Sequence, residues 1–396
     1  MKNKAQTMDF IKKYAMIIVL VLVVIFFTIM TQGKMLLPQN ISNLISQNAY
    51  VFILATGMLL CILTGGNIDL SVGSVVCFVG AVGAKLMAEM HVNMFVTIII
   101  MLITGTAIGA FQAFWIAYVR IPPFIVTLAG MLAFRGLSNV VLNGLTVSIK
   151  DCTEFVDLFG GGANCYIPDI FNFSGINGLC LIIGIVVAAL FVFIQLKNRM
   201  TKVKKNYEVE SAAAFWIKTV LTAVVIFAFA FRLAQHKGVP TVLIWVFLVI
   251  LVYAYITSNT TVGRAFYAVG GNEKATKLSG INTNKIYFLA YTNMGLLAAL
   301  AAMVTIARLT SAQPTYGQNY EMDAIGSCFI GGASAYGGIG TVPGVIVGAV
   351  LMGVINMGMS LMGVDANMQK VVKGVVLLAA VIFDVVSKRG KWFAKD

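Results

Sequence analysis

Long apolar runs separated by short polar segments repeat along the whole chain of 396 residues. Most runs approach the roughly 20 residues that a helix needs to cross about 30 Å of hydrocarbon. The pattern predicts an all-α, polytopic bundle of about ten to twelve transmembrane helices. The predicted spans are residues 15–31, 48–64, 72–88, 94–119, 122–143, 179–196, 213–232, 239–257, 285–307, 321–336, 342–362 and 368–387.

Two places depart from continuous helices. Residues 321–336 are short and rich in Gly and Ser, and the polar stretch TGGNIDLSVGS at 64–74 interrupts an apolar run. Backbone that is not helical is tolerated at membrane depth where it lies inside the protein or lines a cavity. Each place therefore predicts an interrupted or re-entrant helix.

Composition supports membrane insertion, because 59% of the residues are hydrophobic and only 11% are charged. The net charge of +13 would suggest a nucleic-acid partner in a soluble protein, but basic residues of membrane proteins gather in cytoplasmic loops. If both termini lie in the cytoplasm, the basic clusters at 197–205, 264–285 and 388–395 lie there as well. We therefore expect one transmembrane domain over residues 1–396, both termini in the cytoplasm, contact with membrane lipid and no nucleic acid.

This topology places residues 144–178 outside, as an extracytoplasmic loop. The loop holds Cys152 and Cys165. In an oxidising compartment the two thiols either form a disulfide or remain separate, and the sequence leaves both alternatives open.

A carboxylate, Asp69, lies inside the first interruption. Gly65 and Gly66 can end one helix, and Asp69 can cap the next by accepting hydrogen bonds from amides near Val72. An ionised group in hydrocarbon is otherwise a candidate for ion coupling. We favour the structural role, in which the carboxylate holds the turn.

A second stretch, GGASAYGGIGTVPGVIVGAV, begins at Gly331 and Gly332 and resembles the first. Both Gly-Gly pairs would approach the same side of the membrane. Either a parallel internal repeat or a shared Gly and Val bias explains the likeness. The GxxxG spacings at 105–109 and 344–348 indicate ordinary close helix packing.

The sequence gives little support to an enzyme. His91 and His236 fall near outer span ends without an HExxH or Ser/His/Asp pattern, and no GxxxxGK[ST] phosphate loop exists. We expect no catalytic residue, metal or cofactor on this chain, so that any ATP would bind another chain. An ion-coupled secondary transporter would have few intramembrane ionisable groups to use: Asp69, Arg135, Glu321, Asp323 and Asp384.

The loop at 258–285 is too polar to cross the membrane. A short helix from Glu273 to Leu278, bounded by Gly-Gly-Asn and Ser-Gly, is the natural interpretation. Such a cytoplasmic helix is suited to docking a partner, although a solvated connector would have the same pattern.

Several motifs occur in a fixed order from about residue 50 to 387: TGGNIDLSVGS, IPPFIVTLAGMLAFRGL, GRAFYAVGGNEKATKLSGINTNK, IGGASAYGGIGTVPGVIVGAV and VKGVVLLAAVIFDV. In these motifs the chain closely resembles the permease subunits of ribose/xylose-type ATP-binding-cassette sugar importers. The resemblance implies a bacterial cytoplasmic membrane protein and a core of two permease copies, expected to be a homodimer. It also implies an extracytoplasmic sugar-binding protein and two cytoplasmic ATPase subunits, which bind the ATP and Mg²⁺.

The resemblance also implies that a cytoplasmic permease helix sits in a groove of the ATPase. EKATKLSG differs by one residue before Gly from the EAAxxxG pattern of other importers. The docking positions carried over are Gly271, Asn272, Glu273, Ala275, Ser279 and Gly280.

Gln112-Ala113, SLMGVDANMQ and the extra basic segment and span around 197–232 are most similar to the xylose or multiple-monosaccharide branch. The expected mechanism is alternating access, with an ion-coupled secondary transporter and a passive channel as alternatives. Polar candidates for the sugar path, each of which helix packing could also satisfy, are Asn67, Ser71, Gln112, Trp115, Thr127, Asn139 and Asn356.

Overall fold

The computed structural model describes residues 2–161, 165–173, 175–207, 209 and 211–392. Residues 162–164 and 174 of the predicted outer loop, and 393–396 of the basic C-terminal cluster, lie outside the described residues. The helices are α1 Lys2–Met30, α2 Pro38–Leu63, α3 Val72–Ala88, α4 Met94–Ala117, α5 Pro123–Leu142, α6 Thr153–Leu158, α7 Gly178–Lys204, α8 Ala212–Ala234, α9 Val242–Asn259, α10 Thr261–Gly271, α11 Glu273–Leu278, α12 Thr283–Leu309, α13 Tyr320–Ile330, α14 Val342–Leu361 and α15 Ala366–Trp392.

Eight of the described helices are long and apolar enough to cross a membrane, namely α2, α4, α5, α7, α8, α9, α12 and α14. Helix α3 and the part of α1 from Met16 to Met30 are shorter apolar helices. The predicted all-α, polytopic membrane fold is therefore confirmed.

The described strands have two residues each: β1 Val147–Ser148, β2 Asn172–Phe173, β3 Ile176–Asn177 and β4 Ser311–Ala312. Strands β1 and β4 pair antiparallel, as do β2 and β3. Strands β1, β2 and β3, with α6, give the predicted outer loop local structure. The six cysteines, all within the described ranges, are free thiols, including Cys152 and Cys165.

The chain divides into two compact units. One contains residues 1–35, 44–163 and 242–396, and the other contains residues 36–43 and 164–241. In the first unit, most of the apolar stretches of α2 and α12 are buried, so these helices form its centre. In the second, α7 packs along α8, where Gly184 lies against Ala230.

Small residues allow the central helices to approach closely. A Cβ on Gly105 of α4 would lie 2.6 Å from the carbonyl oxygen of Gly295 on α12, and one on Gly109 would lie 2.5 Å from that of Tyr291. Gly348 of α14 similarly faces the backbone of α13. Both GxxxG spacings therefore serve helix packing, as the sequence indicates.

Both predicted interruptions are present. Residues 64–71 separate α2 from α3, and residues 331–341 separate α13 from α14. Helix α13 has 11 residues, which span about 16 Å at about 1.5 Å per residue, half the hydrocarbon thickness. Helix α13 alone is therefore too short to cross the hydrocarbon. The parallel internal repeat stays a prediction.

Candidate functional site

The two interruptions meet through their backbones at one end of the central helices. Gly66 has φ +75°, and a Cβ there would overlap the carbonyl oxygen of Ala335. The amide of Gly338 donates a hydrogen bond to the carbonyl oxygen of Leu63 at 3.0 Å. The two interruptions therefore lie against each other, whereas the approach of both Gly-Gly pairs to the same side of the membrane stays a prediction.

The end of α10 enters the same contact. A Cβ on Gly270 would overlap the carbonyl oxygen of Leu63, and one on Gly338 would lie 2.8 Å from the amide nitrogen of Gly271. We call residues 63–66, 270–271 and 335–338 the glycine junction. Since backbone meets backbone here, a side chain at Gly66 or Gly270 would push the segments apart.

Further hydrogen bonds tie the second interruption to its neighbours. The hydroxyl of Tyr267 on α10 donates to the carbonyl oxygen of Gly340 at 2.9 Å. The amide of Ala335 donates to the Asp384 carboxylate on α15 at 3.2 Å. Polar backbone groups of the interruption are thus satisfied inside the protein, as hydrocarbon requires.

Of the four glycines predicted at the two interruptions, two lie in the glycine junction and two lie outside it. Gly65 lies in the junction, against Gly337, together with Gly66. Gly331 instead faces α14, and Gly332, with φ +88°, would have open space around a Cβ. Sequence reasoning missed Gly270, Gly337 and Gly338. The second Gly-Gly pair inside SAYGGIG was the available signal.

Asp69 supports the turn before α3, but it is not the N-cap. The N-cap is Ser71, whose backbone is already in the helical region. The Asp69 side chain is buried, 3% exposed, and its Oδ1 accepts from the Ser71 amide at 2.8 Å and from the Ser71 hydroxyl at 2.6 Å. The amide that donates to Asp69 is that of Ser71, next to Val72 as predicted, because a short carboxylate reaches the amide two positions on.

A buried chain of polar side chains extends from Asp69 through Ser71 to α4. The Ser71 hydroxyl is hydrogen bonded to the Gln112 side chain of α4 at 3.0 Å, and Gln112 fits against Gly130 of α5, where a Cβ would overlap its Nε2. Gln112 and Trp115 also line a groove of about 310 Å³ between α4 and α5, whose other walls are mostly apolar. Three predicted path residues, Ser71, Gln112 and Trp115, therefore lie together.

The remaining path candidates are separate from this cluster. The Thr127 hydroxyl is buried and donates to the backbone of its own helix, and Asn67 donates to Thr64 in the first interruption. Asn139 is exposed on α5, and Asn356 donates to Asn48 of α2 at 3.4 Å. Their roles in a path stay predictions.

The short helix in the 258–285 loop has the predicted limits. The Asn272 side chain accepts from the Ala275 amide at 3.0 Å and starts α11. The Ser279 hydroxyl donates to the carbonyl oxygen of Ala275 at 3.0 Å, and Gly280 follows with φ +84°. These residues fix the ends of the helix, as polar caps and left-handed glycines do.

Glu273 of α11 turns towards the protein. Its Oε1 pairs with Arg120 of the α4–α5 turn at 2.8 Å, and its Oε2 accepts from the Tyr287 hydroxyl of α12 at 3.1 Å. Burial alone would raise the pKa of Glu273, but the hydrogen bonds from Arg120 and Tyr287 and the charge of Arg120 hold it below its usual value. Arg120 also bonds to Thr283 and Asn284. Glu273 therefore ties α11 to α4 and α12.

The exposed tip of α11 is Leu278, which is 90% exposed and which sequence reasoning did not select. An apolar residue within a polar loop was the signal for it. Arg120 was also missed as a partner, since it lies far from Glu273 in the sequence.

A buried ion pair joins α13 to α15. Asp323, 1% exposed, lies 2.9 Å from Lys373, and the Tyr50 hydroxyl of α2 donates to it at 2.6 Å. Tyr50 stacks on Tyr320, with ring centroids 3.5 Å apart. Asp323 lies in the first turn of α13, and its charge is balanced by Lys373, which sequence reasoning missed as its partner.

The Asp69 turn provides a test of the structural role. Asp69→Asn keeps an oxygen for the Ser71 amide, whereas Asp69→Leu leaves that buried amide without its acceptor, at about 1–3 kcal/mol for an unsatisfied group. Thermal unfolding in detergent should show a much larger loss for the Leu variant. A well-folded Asn variant that loses transport as completely as the Leu variant would instead favour a charge-carrying role.

Comparison with known proteins agrees with this architecture. Residues 40–381 match the family model described as "Branched-chain amino acid transport system / permease component". The xylose transport system permease protein XylH of Escherichia coli is 36% identical over 376 residues, covering 95% of this chain and 92% of the relative. The XylH of Haemophilus influenzae is also 36% identical over 376 residues, with 95% and 96% coverage.

The ribose import permease protein RbsC of Escherichia coli is 36% identical over 346 residues, covering 87% of this chain and 85% of the relative. No solved structure matches the chain significantly. The family match and the identity to curated permeases both extend over most of the chain. The chain therefore belongs to the family of the "Branched-chain amino acid transport system / permease component" and is a multi-pass membrane permease.

Proposed function

We propose that this chain is the permease subunit of an ATP-binding-cassette importer that moves a monosaccharide, a xylose-like pentose or a hexose, across a bacterial inner membrane. Both termini would lie in the cytoplasm. Cytoplasmic ATPase subunits would bind ATP and Mg²⁺, an extracytoplasmic protein would deliver the sugar, and a second copy of this chain would complete the core. The observation that carries the proposal is the glycine junction, which joins α10 directly to both membrane interruptions.

Two connections would transmit movement of the docked ATPase into the membrane. Leu278 would enter the ATPase groove, because it is the most exposed apolar side chain of α11. From α11, the Glu273–Arg120 ion pair leads to the turn between α4 and α5. From α10, the contact of Gly270 with Leu63 leads to the start of the first interruption.

Helices α4 and α5, which the Glu273–Arg120 ion pair reaches, carry the proposed sugar contacts. Arg120 lies directly between α4 and α5, which form the groove lined by Gln112 and Trp115. The Trp115 indole would give a sugar a stacking surface without holding it tightly, while the buried Gln112 amide stays bonded to Ser71. Weak contacts suit a permease whose selectivity resides in the delivering protein.

Two buried carboxylates favour transport that is driven by ATP over transport that is coupled to an ion gradient. Asp69 is committed to Ser71, and Asp323 is paired with Lys373. A coupling carboxylate must exchange its ion during transport. Both groups are instead held by partners that fix local structure.

Reconstitution tests the proposal directly. The purified chain in vesicles should take up sugar only when the ATPase, the binding protein and ATP are all supplied. Vesicles with the ATPase but without binding protein are the matched control, and they should show little uptake. Uptake by this chain alone under a proton gradient would contradict the proposal in favour of a secondary transporter, and nucleotide-independent flux would favour a channel.

The ion pair on α11 gives a sharper test of transmission. Glu273→Gln and Arg120→Gln should each leave the ATPase bound but reduce sugar-stimulated ATP hydrolysis several-fold, since one partner of a charge-assisted bond is lost. The double exchange Glu273→Arg with Arg120→Glu should restore much of it.

Leu278→Asp provides the contrasting control, because it should weaken binding of the ATPase itself. Co-purification of the ATPase and its hydrolysis rate are the two measurements. Single Gln variants with full stimulation would remove the ion pair from the transmission pathway.

A further inference from the structure

A polar cleft lies between α7 and α8 in the smaller unit, where α7 ends and α8 begins. It has a volume of about 250 Å³. Its polar lining includes Gln195, Asn198, Arg199 and Lys202 of α7 and Lys218 of α8. Three cations and two amides thus line one half-open cleft, and the proposed transport cycle uses none of them.

One cation of the cleft is held in place by an aromatic ring. The guanidinium carbon of Arg199 lies 4.6 Å from the centroid of the Phe215 ring, and both side chains are half-buried. A cation over an aromatic face is attracted by the ring and keeps its donors free for another ligand. Among the described residues, no carboxylate forms an ion pair with Arg199, Lys202 or Lys218. Glu208 and Glu210 of the connecting loop lie outside the described residues.

The cleft sits where the apolar part of α7 gives way to its charged end. Phe191 lines the side nearer the apolar part of the helix, and Lys202 lies close to its last residue, Lys204. Exposed apolar side chains flank the cleft on both helices, including Ile194 of α7 and Ile217 of α8. This order of apolar and then cationic groups matches the depth of lipid headgroups.

We propose that the cleft between α7 and α8 binds the phosphate headgroup of an anionic membrane lipid. Arg199 and Lys218 contact the phosphate from the two helices, and the amides of Gln195 and Asn198 bond to its oxygens or to the headgroup. The acyl chains lie along the exposed apolar faces of α7 and α8. Basic pockets between helices on the cytoplasmic side suit such headgroups, and the proposal rests on the proposed function only for that orientation.

The test uses the purified full-length chain in detergent, without ATPase, binding protein or sugar, so that its outcome is independent of the transport proposal. Phosphatidylglycerol is titrated and bound lipid is counted by native mass spectrometry, with phosphatidylcholine as the neutral lipid. Arg199→Gln with Lys218→Gln removes two cations from the cleft. Lys204→Gln with Lys205→Gln removes the same amount of charge from the basic segment at 197–205, outside the cleft.

The cleft variant should bind phosphatidylglycerol about tenfold more weakly or worse, while the matched variant changes little. Arg199→Lys with Lys218→Arg, which preserves the charge, should retain most binding and controls for disruption of the hairpin. Equal losses in the two Gln variants would overturn the proposal in favour of diffuse attraction to the basic segment. Displacement of the lipid by an equal concentration of inorganic phosphate would overturn it in favour of a soluble anion.

Discussion

The contact of backbone with backbone in the glycine junction is the constraint on which the architecture of the larger unit depends. Gly66 meets Ala335, and Gly270 meets Leu63, without a side chain between them. Helices can be interrupted at membrane depth only if the freed amides and carbonyls find partners within the protein. The junction supplies one such bond from Gly338, and Asp384 and Tyr267 supply others to the second interruption. Glycine is required because a larger residue would separate these partners.

The helices that start after the interruptions are fixed by neighbouring polar groups. Asp69 holds the turn before α3 through Ser71, and the Thr341 hydroxyl accepts from the Gly344 amide at the start of α14. Ser71 then extends the network to Gln112 of α4. One continuous set of contacts therefore links the loop at 258–285, both interruptions and the groove between α4 and α5. This continuity is the physical basis for assigning transmission to the junction.

The sequence predicts the helices well, because apolar run length and glycine interruptions are local properties. It also predicts the limits of α11, since Asn272 and Gly280 act within a few residues of the helix they bound. The sequence predicts less well which side chains pair with one another. Glu273 and Arg120 are 153 positions apart, and no periodic pattern joins them. The pairing of Asp323 with Lys373 could not be predicted for the same reason. A Lys within an apolar run does not indicate which helix it faces.

The claim that transmission depends on the glycine junction can be tested at two glycines with similar backbone conformations. Gly66 and Gly332 have similar φ values of +75° and +88°, but only a Cβ on Gly66 would overlap another backbone segment. The measurement is sugar-stimulated ATP hydrolysis by the reconstituted complex carrying Gly66→Ala or Gly332→Ala. Stimulation should be largely lost in Gly66→Ala and mostly retained in Gly332→Ala. Equal stimulation in the two variants would contradict the role of the glycine junction.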